Sequence, residues 1–130
     1  MSEEIHLKMS FSKPARHLYE AWLDSDAHSG FTGSPAVIDP GVGGKFTAWD
    51  QYIWGQNLEL DSGKRILQSW RTTEFPEDAP DSLLEVLFEE NGENTLLTLN
   101  HTQIPDGQAG QYTEGWQEYY FTPMAEYFSR

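Results

Sequence analysis

The sequence predicts an α+β fold: a curved antiparallel sheet of about six to seven strands around one long C-terminal helix, with two short helices after the first strand. Three observations predict this class. Apolar and polar residues alternate from Ile5 to Phe11, strand-like segments fill residues 36–104, and apolar residues recur at three- and four-residue steps from Tyr112 onward. Consecutive strands joined by tight turns pair antiparallel, and their natural twist curves the sheet around the helix.

The N-terminal part combines one strand with two short helices. The alternation over residues 5–11 is typical of a half-buried strand. Pro14 then marks the first turn of a helix, whose apolar residues continue at helical spacing to Leu23. The polar segment 24–26 ends this helix and can cap a second one, which we expect to run through His28.

The middle of the chain consists of strands separated by turn residues. Asn91-Gly92 is the strongest hairpin signal, because both residues tolerate the positive φ of a two-residue turn. Other breaks fall at glycine- and proline-containing segments. The predicted strands cover residues 36–38, 45–49, 53–60 and 65–75, followed by alternating apolar segments at 84–88 and 97–101.

The alternation within these strands assigns their faces. We expect Trp54 and Gln56 to share one inward row, so that the amide lies among aromatic rings. Trp70 is expected inward and Arg71 outward, either as a solvated cation paired with a nearby acid or as an anchor for a ligand. His101 shares the row of the neighbouring leucines and is therefore expected to point towards the C-terminal helix.

The C-terminal segment is predicted to be one helix with an interruption. Aromatic residues recur at helical spacing from Tyr112 to the end of the chain. Pro123 lies inside this pattern and has no backbone N–H. We therefore expect the carbonyl of Tyr119 to lose its partner and the helix to kink.

Composition limits the classes of function. The 130 residues correspond to one domain, which we place at residues 1–130. There are 8 Lys+Arg against 21 Asp+Glu, and the net charge of -13 opposes binding to nucleic acid and to anionic membranes. Aromatic residues make up 14%, which argues against disorder.

Other classes lack their sequence signals. Without cysteine there is no disulfide, thiolate nucleophile or cysteine-ligated metal. The N-terminus carries acids rather than an apolar core, so we expect no signal peptide and a cytoplasmic protein. The four histidines lack metal-ligand spacing, and no nucleophile or phosphate-loop motif occurs. We accordingly expect no metal, no cofactor, no catalytic residue and no enzymatic activity.

Four stretches in order resemble the helix-grip fold of the START-like (SRPBCC) superfamily. More narrowly, they resemble the family named for the C-terminal domain of the activator of heat-shock protein 90 ATPase. The stretches are residues 14–22 (PARHLYEAW), 43–46 (GGKF) with 54–58 (WGQNL), 65–71 (RILQSWR), and 94–101 (NTLLTLNH) with 115–116 (GW). The eukaryotic activator has an additional N-terminal domain that carries much of its stimulating activity, and we expect no counterpart of it in this sequence.

The aromatic residues form the main candidate site. They allow two interpretations: core packing, since each ring buries a large area, or the lining of an apolar pocket, as the resembled fold often provides. The set consists of Phe46, Trp49, Trp54, Trp70, Trp116, Tyr119, Tyr120 and Tyr127. The residues that we predict to bind a ligand are Phe46, Trp54, Gln56, Trp70, His101, Trp116, Tyr120 and Met124. For His101 the alternative is a hydrogen-bonded core histidine without a role in binding.

The resemblance and the inward rings together imply a function. The main hypothesis is a non-catalytic START-like domain that binds a small apolar or aromatic ligand in a cavity between the sheet and the C-terminal helix. The alternative is a stress-response protein that interacts with a heat-shock chaperone, its acidic surface meeting a basic patch. A third reading, implied by the superfamily, is a hydrolase- or cyclase-like enzyme. We expect a monomer or a weak homodimer.

Overall fold

The computed structural model describes residues 2–129, so both ends of the predicted domain, Met1 and Arg130, lie outside the described part. Within it the chain forms seven strands and three helices. In chain order they are β1 (Ser2–Phe11), α1 (Ala15–Leu23), α2 (Ser25–Thr32), β2 (Val37–Ile38), β3 (Lys45–Ala48), β4 (Ile53–Asp61), β5 (Arg65–Thr72), β6 (Ser82–Asn91), β7 (Asn94–Pro105) and α3 (109–128).

The strands form one antiparallel sheet in the order β1-β7-β6-β5-β4-β3-β2. Strands β2 to β7 follow one another as hairpins, and β1 joins the far edge through β7. The curved sheet packs around α3, with α1 and α2 placed after the first strand. The predicted α+β class, the helix-grip arrangement and the two short helices are confirmed.

The inner face of β5, β6 and β7 is the centre of the core. Along β6 the buried residues alternate with half-buried ones from Ser82 to Phe88. On β7 the buried row runs from Thr95 to His101, whose side chain is 0% exposed. The predictions that Trp70 and His101 face inward are confirmed, and so is the outward position of Arg71, which pairs with Asp81.

The predicted orientation of β4 is wrong. Trp54 is 38% exposed and Gln56 is also exposed, so both lie on the outer face of the sheet, whereas Ile53 and Asn57 are buried. The cause is Gly55, which occupies the inner row opposite Trp70. A Cβ built on Gly55 would lie 2.9 Å from the ring of Phe46 and 1.8 Å from the carbonyl oxygen of Ser69. The neighbouring strands therefore fill the place of the missing side chain.

Two strands end earlier than predicted. Strand β3 stops at Ala48 because Trp49, Asp50 and Gln51 all have positive φ (52°, 54° and 72°), which no strand accommodates. Strand β5 stops at Thr72, where the chain turns towards Phe75. Both ends lie beside the C-terminal helix.

The interruption of α3 takes the form of a π-helical stretch. The helix consists of Ala109–Gly115, the π-helical residues Trp116–Phe121, and Thr122–Phe128. The backbone N–H and the hydroxyl of Thr122 both bond to the carbonyl oxygen of Gln117, five residues earlier. This wider turn immediately precedes Pro123, which cannot donate a hydrogen bond.

Candidate functional site

A pocket of about 340 Å³ lies between the start of β4, the end of β5 and the first half of α3. Its volume is near the lower limit of pockets that hold small organic ligands, roughly 300 Å³. Most of its lining is aromatic. The lining residues are Trp49, Tyr52, Ile53, Trp70, Glu74, Gln111, Tyr112, Gly115, Trp116, Tyr119 and Tyr120.

The rings of the pocket contact one another in a continuous group. The ring centroids of Trp116 and Tyr120 are 4.7 Å apart, and those of Trp70 and Trp116 are 5.6 Å apart. Trp49 meets Tyr119 edge-on at 5.7 Å. Tyr119 is 56% exposed while Trp116 is buried, so the pocket extends from the core to the surface.

Trp116 is held by a chain of hydrogen bonds that crosses the core. Its indole N–H donates to Nδ1 of His101 at 3.1 Å, which leaves Nε2 of the imidazole as the protonated nitrogen. That Nε2–H donates to the hydroxyl of Ser82 at 2.8 Å, and Ser82 donates to the carbonyl oxygen of Trp70 at 2.6 Å. Burial lowers the pKa of His101 to about 3, so the ring is neutral at physiological pH.

Tyr120 is held in the same way by the second buried histidine. Nδ1 of His28 donates to the carbonyl oxygen of Trp22 at 2.9 Å, so Nε2 accepts from the Tyr120 hydroxyl at 2.8 Å. Burial lowers the pKa of His28 to about 4 and raises that of Tyr120. The hydroxyl of Tyr120, which belongs to the pocket lining, is therefore already bonded within the protein.

The open end of the pocket is polar and acidic. The carboxylate of Glu74 accepts from the Tyr52 hydroxyl and, at 3.0 Å, from the side-chain amide of Gln111. The Tyr112 hydroxyl lies 2.7 Å from Thr72 Oγ1 and donates to Gln108. Burial, together with the bond to Glu74, raises the pKa of Tyr52. These bonds fix the carboxylate at the rim of the aromatic group.

Glu74 has no salt bridge to a cation within residues 2–129. The nearest cation along the chain, Arg71, projects from the outer face instead. Its guanidinium donates to Asp81 at 2.8 Å and to the carbonyl oxygens of Ala79 and Pro76. Among residues 2–129, no cation lies within ion-pair distance of the carboxylate at the pocket.

Backbone strain is concentrated at one side of this rim. Trp49, Asp50 and Gln51 are three successive non-glycine residues in the left-handed region. Each such residue costs of order 1 kcal/mol, and such strain clusters at functional sites. The loop places Trp49 and Tyr52 at the pocket and is closed by a hydrogen bond between the Asp50 N–H and the Pro35 carbonyl.

The structure brings together three of the eight predicted binding residues: Trp70, Trp116 and Tyr120 line the pocket. Phe46, Met124 and His101 are buried in the core outside the lining, and Trp54 and Gln56 lie on the opposite face of the sheet. Both ring nitrogens of His101 bond to protein groups.

Several lining residues were not among the predicted binding residues. Trp49 and Tyr119 belong to the aromatic set, so composition indicates them without distinguishing them from core rings. Tyr52 immediately precedes β4, Glu74 lies two residues after the end of β5, and Gln111 lies in the first turn of α3. No periodicity marks such positions, because contacts between distant segments bring them to the pocket.

The outer face of the sheet carries a second feature. Val37, Thr47, Trp54 and Arg71 are cross-strand neighbours on β2, β3, β4 and β5. The Arg71 guanidinium lies 5.9 Å from the centre of the Trp54 ring. We call Val37, Trp54 and Leu58, which are 68%, 38% and 39% exposed, the outer-face patch.

Two features are absent from residues 2–129. No group of three or more histidine, aspartate or glutamate side chains could hold a metal ion. None of the described helices has both the length and the apolar character needed to cross a bilayer.

Solved structures with the same fold include three of different origin. An HSP90 activator from Plasmodium falciparum superposes with a TM-score of 0.90 at 23% identity, covering 97% of this chain and 96% of that one. CalU16 from Micromonospora echinospora gives 0.76 at 23% identity, covering 98% and 74%. Ara h 8.0201 gives 0.76 at 12% identity, covering 99% of each chain. At these identities the likeness shows the START-like, helix-grip fold alone.

Similarity in sequence relates this chain to proteins named for the Hsp90 ATPase or as an Hsp90 co-chaperone. This chain is 30% identical over 125 residues to the human activator of 90 kDa heat shock protein ATPase homolog 1, covering 96% of this chain and 37% of that protein. It is 26% identical over 126 residues to the Hsp90 co-chaperone AHA1 of Saccharomyces cerevisiae, covering 92% and 35%. The chain thus spans little more than a third of these relatives.

A model of one protein family matches residues 12–129, from the end of β1 to the end of α3. Its description is Activator of Hsp90 ATPase homolog 1-like protein. Since the match includes nearly the whole fold described above, the chain belongs to the family of Activator of Hsp90 ATPase homolog 1-like proteins.

Proposed function

We propose that this protein is a co-chaperone that binds an Hsp90-type chaperone and stimulates its ATPase. The observation that carries the proposal is the family match over residues 12–129, together with relatives named as activators of the Hsp90 ATPase or as an Hsp90 co-chaperone. In this reading the chain contributes binding surfaces and performs no chemistry of its own.

The outer-face patch supplies a contact surface for such a partner. Its three apolar side chains project from ordered strands, and Arg71 is fixed beside Trp54 by Asp81. Tryptophan and arginine are the residue types most often found to dominate binding energy in interfaces. The net charge of -13 favours a basic partner surface and accelerates its encounter at low salt.

The test measures binding to a purified Hsp90-family ATPase and the rate of ATP hydrolysis. We expect binding, a rise in the ATPase rate, and weakening of both with Trp54→Gln. The matched control is Tyr119→Ser, which removes an exposed ring from the opposite side of the sheet. Absence of binding at low salt and high protein excess would contradict the proposal. Equal effects of the two variants would show that the chaperone does not bind through the outer-face patch.

We also propose, as a second function, that the pocket binds a small organic ligand without catalysis. The observation in favour is the pocket of about 340 Å³ with its fixed aromatic walls. The two buried histidines have neutral rings with both nitrogens bonded to protein groups, which leaves neither free as an acid or base.

A titration followed by NMR tests this second function. A panel of small aromatic and aliphatic compounds should shift the indole N–H signals of Trp49, Trp70 and Trp116. Trp54 is the internal control, because it lies on the other face of the sheet. Shifts confined to Trp54, or turnover of any compound in the panel, would contradict non-catalytic binding in the pocket.

A further inference from the structure

The pocket combines aromatic walls with one carboxylate. Seven aromatic rings line it: those of Trp49, Tyr52, Trp70, Tyr112, Trp116, Tyr119 and Tyr120. The face of an aromatic ring carries partial negative charge and attracts cations, most strongly where water is excluded. A purely apolar ligand would pack against these rings without interacting with the partial negative charge on their faces.

The carboxylate of Glu74 is the charged group of the lining. It is held by Tyr52 and Gln111, and no salt bridge within residues 2–129 neutralises it. One carboxylate oxygen, Oε2, accepts both hydrogen bonds, and they come from groups that carry no charge. An incoming cation would therefore meet a positioned negative charge that needs no rearrangement of an existing ion pair.

From these contacts we infer that the pocket binds a small organic cation, an ammonium group joined to an aromatic or aliphatic body. The ammonium group lies against Glu74 and the outer rings, Trp49 and Tyr119, while the body packs on Trp70 and Trp116. An anion is disfavoured here by Glu74 and by the net charge of -13. This inference rests on the proposed ligand-binding function of the pocket and adds the chemical class of the ligand.

The wall that receives the body is already rigid. Trp116 and Tyr120 each use their polar atom in a bond to a buried histidine, which holds both rings in place before any ligand binds. Preorganisation of this kind reduces the entropy lost on binding. The charge preference should therefore appear directly in the affinities of ligands of equal size.

Benzylammonium, benzyl alcohol and benzoate provide the test, because they share one ring and differ in charge. Binding is measured at neutral pH and physiological salt from the indole N–H shifts of Trp49, Trp70 and Trp116. We expect benzylammonium to bind about tenfold more tightly than benzyl alcohol, which corresponds to about 1.4 kcal/mol, and benzoate not to bind.

Two charge variants distinguish binding of the cation at the pocket from its general attraction to the acidic surface. Glu74→Gln keeps a hydrogen-bond acceptor for Tyr52 and should remove most of the preference for the cation. Glu93→Gln changes the net charge equally but lies in the exposed turn between β6 and β7, at the end of β6 remote from Trp70. This control should leave the affinity for benzylammonium unchanged. Tyr119→Leu should lower the affinity for benzylammonium more than that for benzyl alcohol, because it removes a ring face and keeps an apolar side chain.

The outcomes are distinct. A preference for benzylammonium that Glu74→Gln removes and Glu93→Gln keeps supports the inference. Equal binding of benzylammonium and benzyl alcohol overturns the cation preference and leaves ligand binding in the pocket standing. Equal losses in the two charge variants overturn it in favour of nonspecific attraction to the acidic surface. Failure of all three compounds to shift the pocket indoles overturns both this inference and the ligand-binding function.

Discussion

The indole N–H of Trp116 donates a hydrogen bond to Nδ1 of His101 at 3.1 Å, which joins the π-helical part of α3 to the centre of β7. The bond continues through Ser82 to the backbone of Trp70. One buried histidine thus connects two walls of the pocket to two strands, and the stability of the fold and the shape of the pocket depend on the same side chain.

Replacing His101 by Leu should lower the free energy of unfolding by about 2–3 kcal/mol. The substitution leaves the indole N–H of Trp116 buried without an acceptor, and an unsatisfied buried polar group costs roughly 1–3 kcal/mol. Urea unfolding followed by far-UV circular dichroism gives the value. An exposed histidine provides the control: His6→Leu should change stability by less than about 0.5 kcal/mol. Equal effects at both positions would show that the buried hydrogen-bond chain contributes nothing.

Stability should fall as the pH decreases from about 6.5 to 4. Burial lowers the pKa of His28 to about 4 and of His101 to about 3, from the usual 6.5. In this window the unfolded chain binds protons that the folded chain does not, so acidification favours unfolding. Each histidine contributes a slope of up to about 1.4 kcal/mol per pH unit.

Two other groups with shifted pKa values, His6 and Glu85, have little effect on stability between about pH 6.5 and 4 or act mainly below that range. His6 has a raised pKa through its bond to Asn100 and opposes the trend, but it is fully exposed. The pKa of Glu85, lowered mainly by Arg65, adds to the loss of stability at lower pH. Urea unfolding at several pH values measures the slope, and His101→Gln should reduce it by about half. A slope unchanged by that substitution would contradict the assignment to the buried histidines.

Replacing Gln51 by Gly should stabilise the protein relative to Gln51→Ala, by about 1 kcal/mol. Gln51 has a φ of 72° and an exposed side chain, and glycine adopts this conformation without the steric cost that alanine retains. Thermal unfolding of the two variants measures the difference directly. Equal stability would mean that the loop of Trp49, Asp50 and Gln51 stores no strain.

Replacing Gly55 by Ala should destabilise the protein by more than about 3 kcal/mol. The new Cβ would lie 1.8 Å from the carbonyl oxygen of Ser69, so strands β4 and β5 would have to separate. Gly110→Ala is the matched control, because that glycine lies in α3 with open space around its Cβ position. In a helix, alanine should be stabilising there by up to about 1 kcal/mol. Comparable losses at both glycines would argue against the close packing of β4.

The sequence predicts best where the pattern is regular and the inner row is apolar. On β7 the row that contains Leu97, Leu99 and His101 was assigned to the correct face. On β4 the outer row holds Trp54 and Leu58, and the inner row holds Gly55 and Asn57, so apolar periodicity indicates the wrong face. The inner row of β4 is specified by its neighbours, whose side chains cover Gly55.

By itself, the sequence determined the order of the elements, the antiparallel sheet, the family, and the aromatic character of the interior. Local periodicity and turn residues are sufficient for the order of the elements, the sheet of hairpins and the aromatic interior, because these depend on residues that are near one another in the chain. The family follows instead from the resemblance of four stretches taken in order. Only the tertiary structure decided which rings enclose the pocket and that Glu74 lies among them with no ion pair to any cation of residues 2–129. Those facts depend on packing between β4, β5 and α3, whose residues are tens of positions apart, and no local pattern records such contacts.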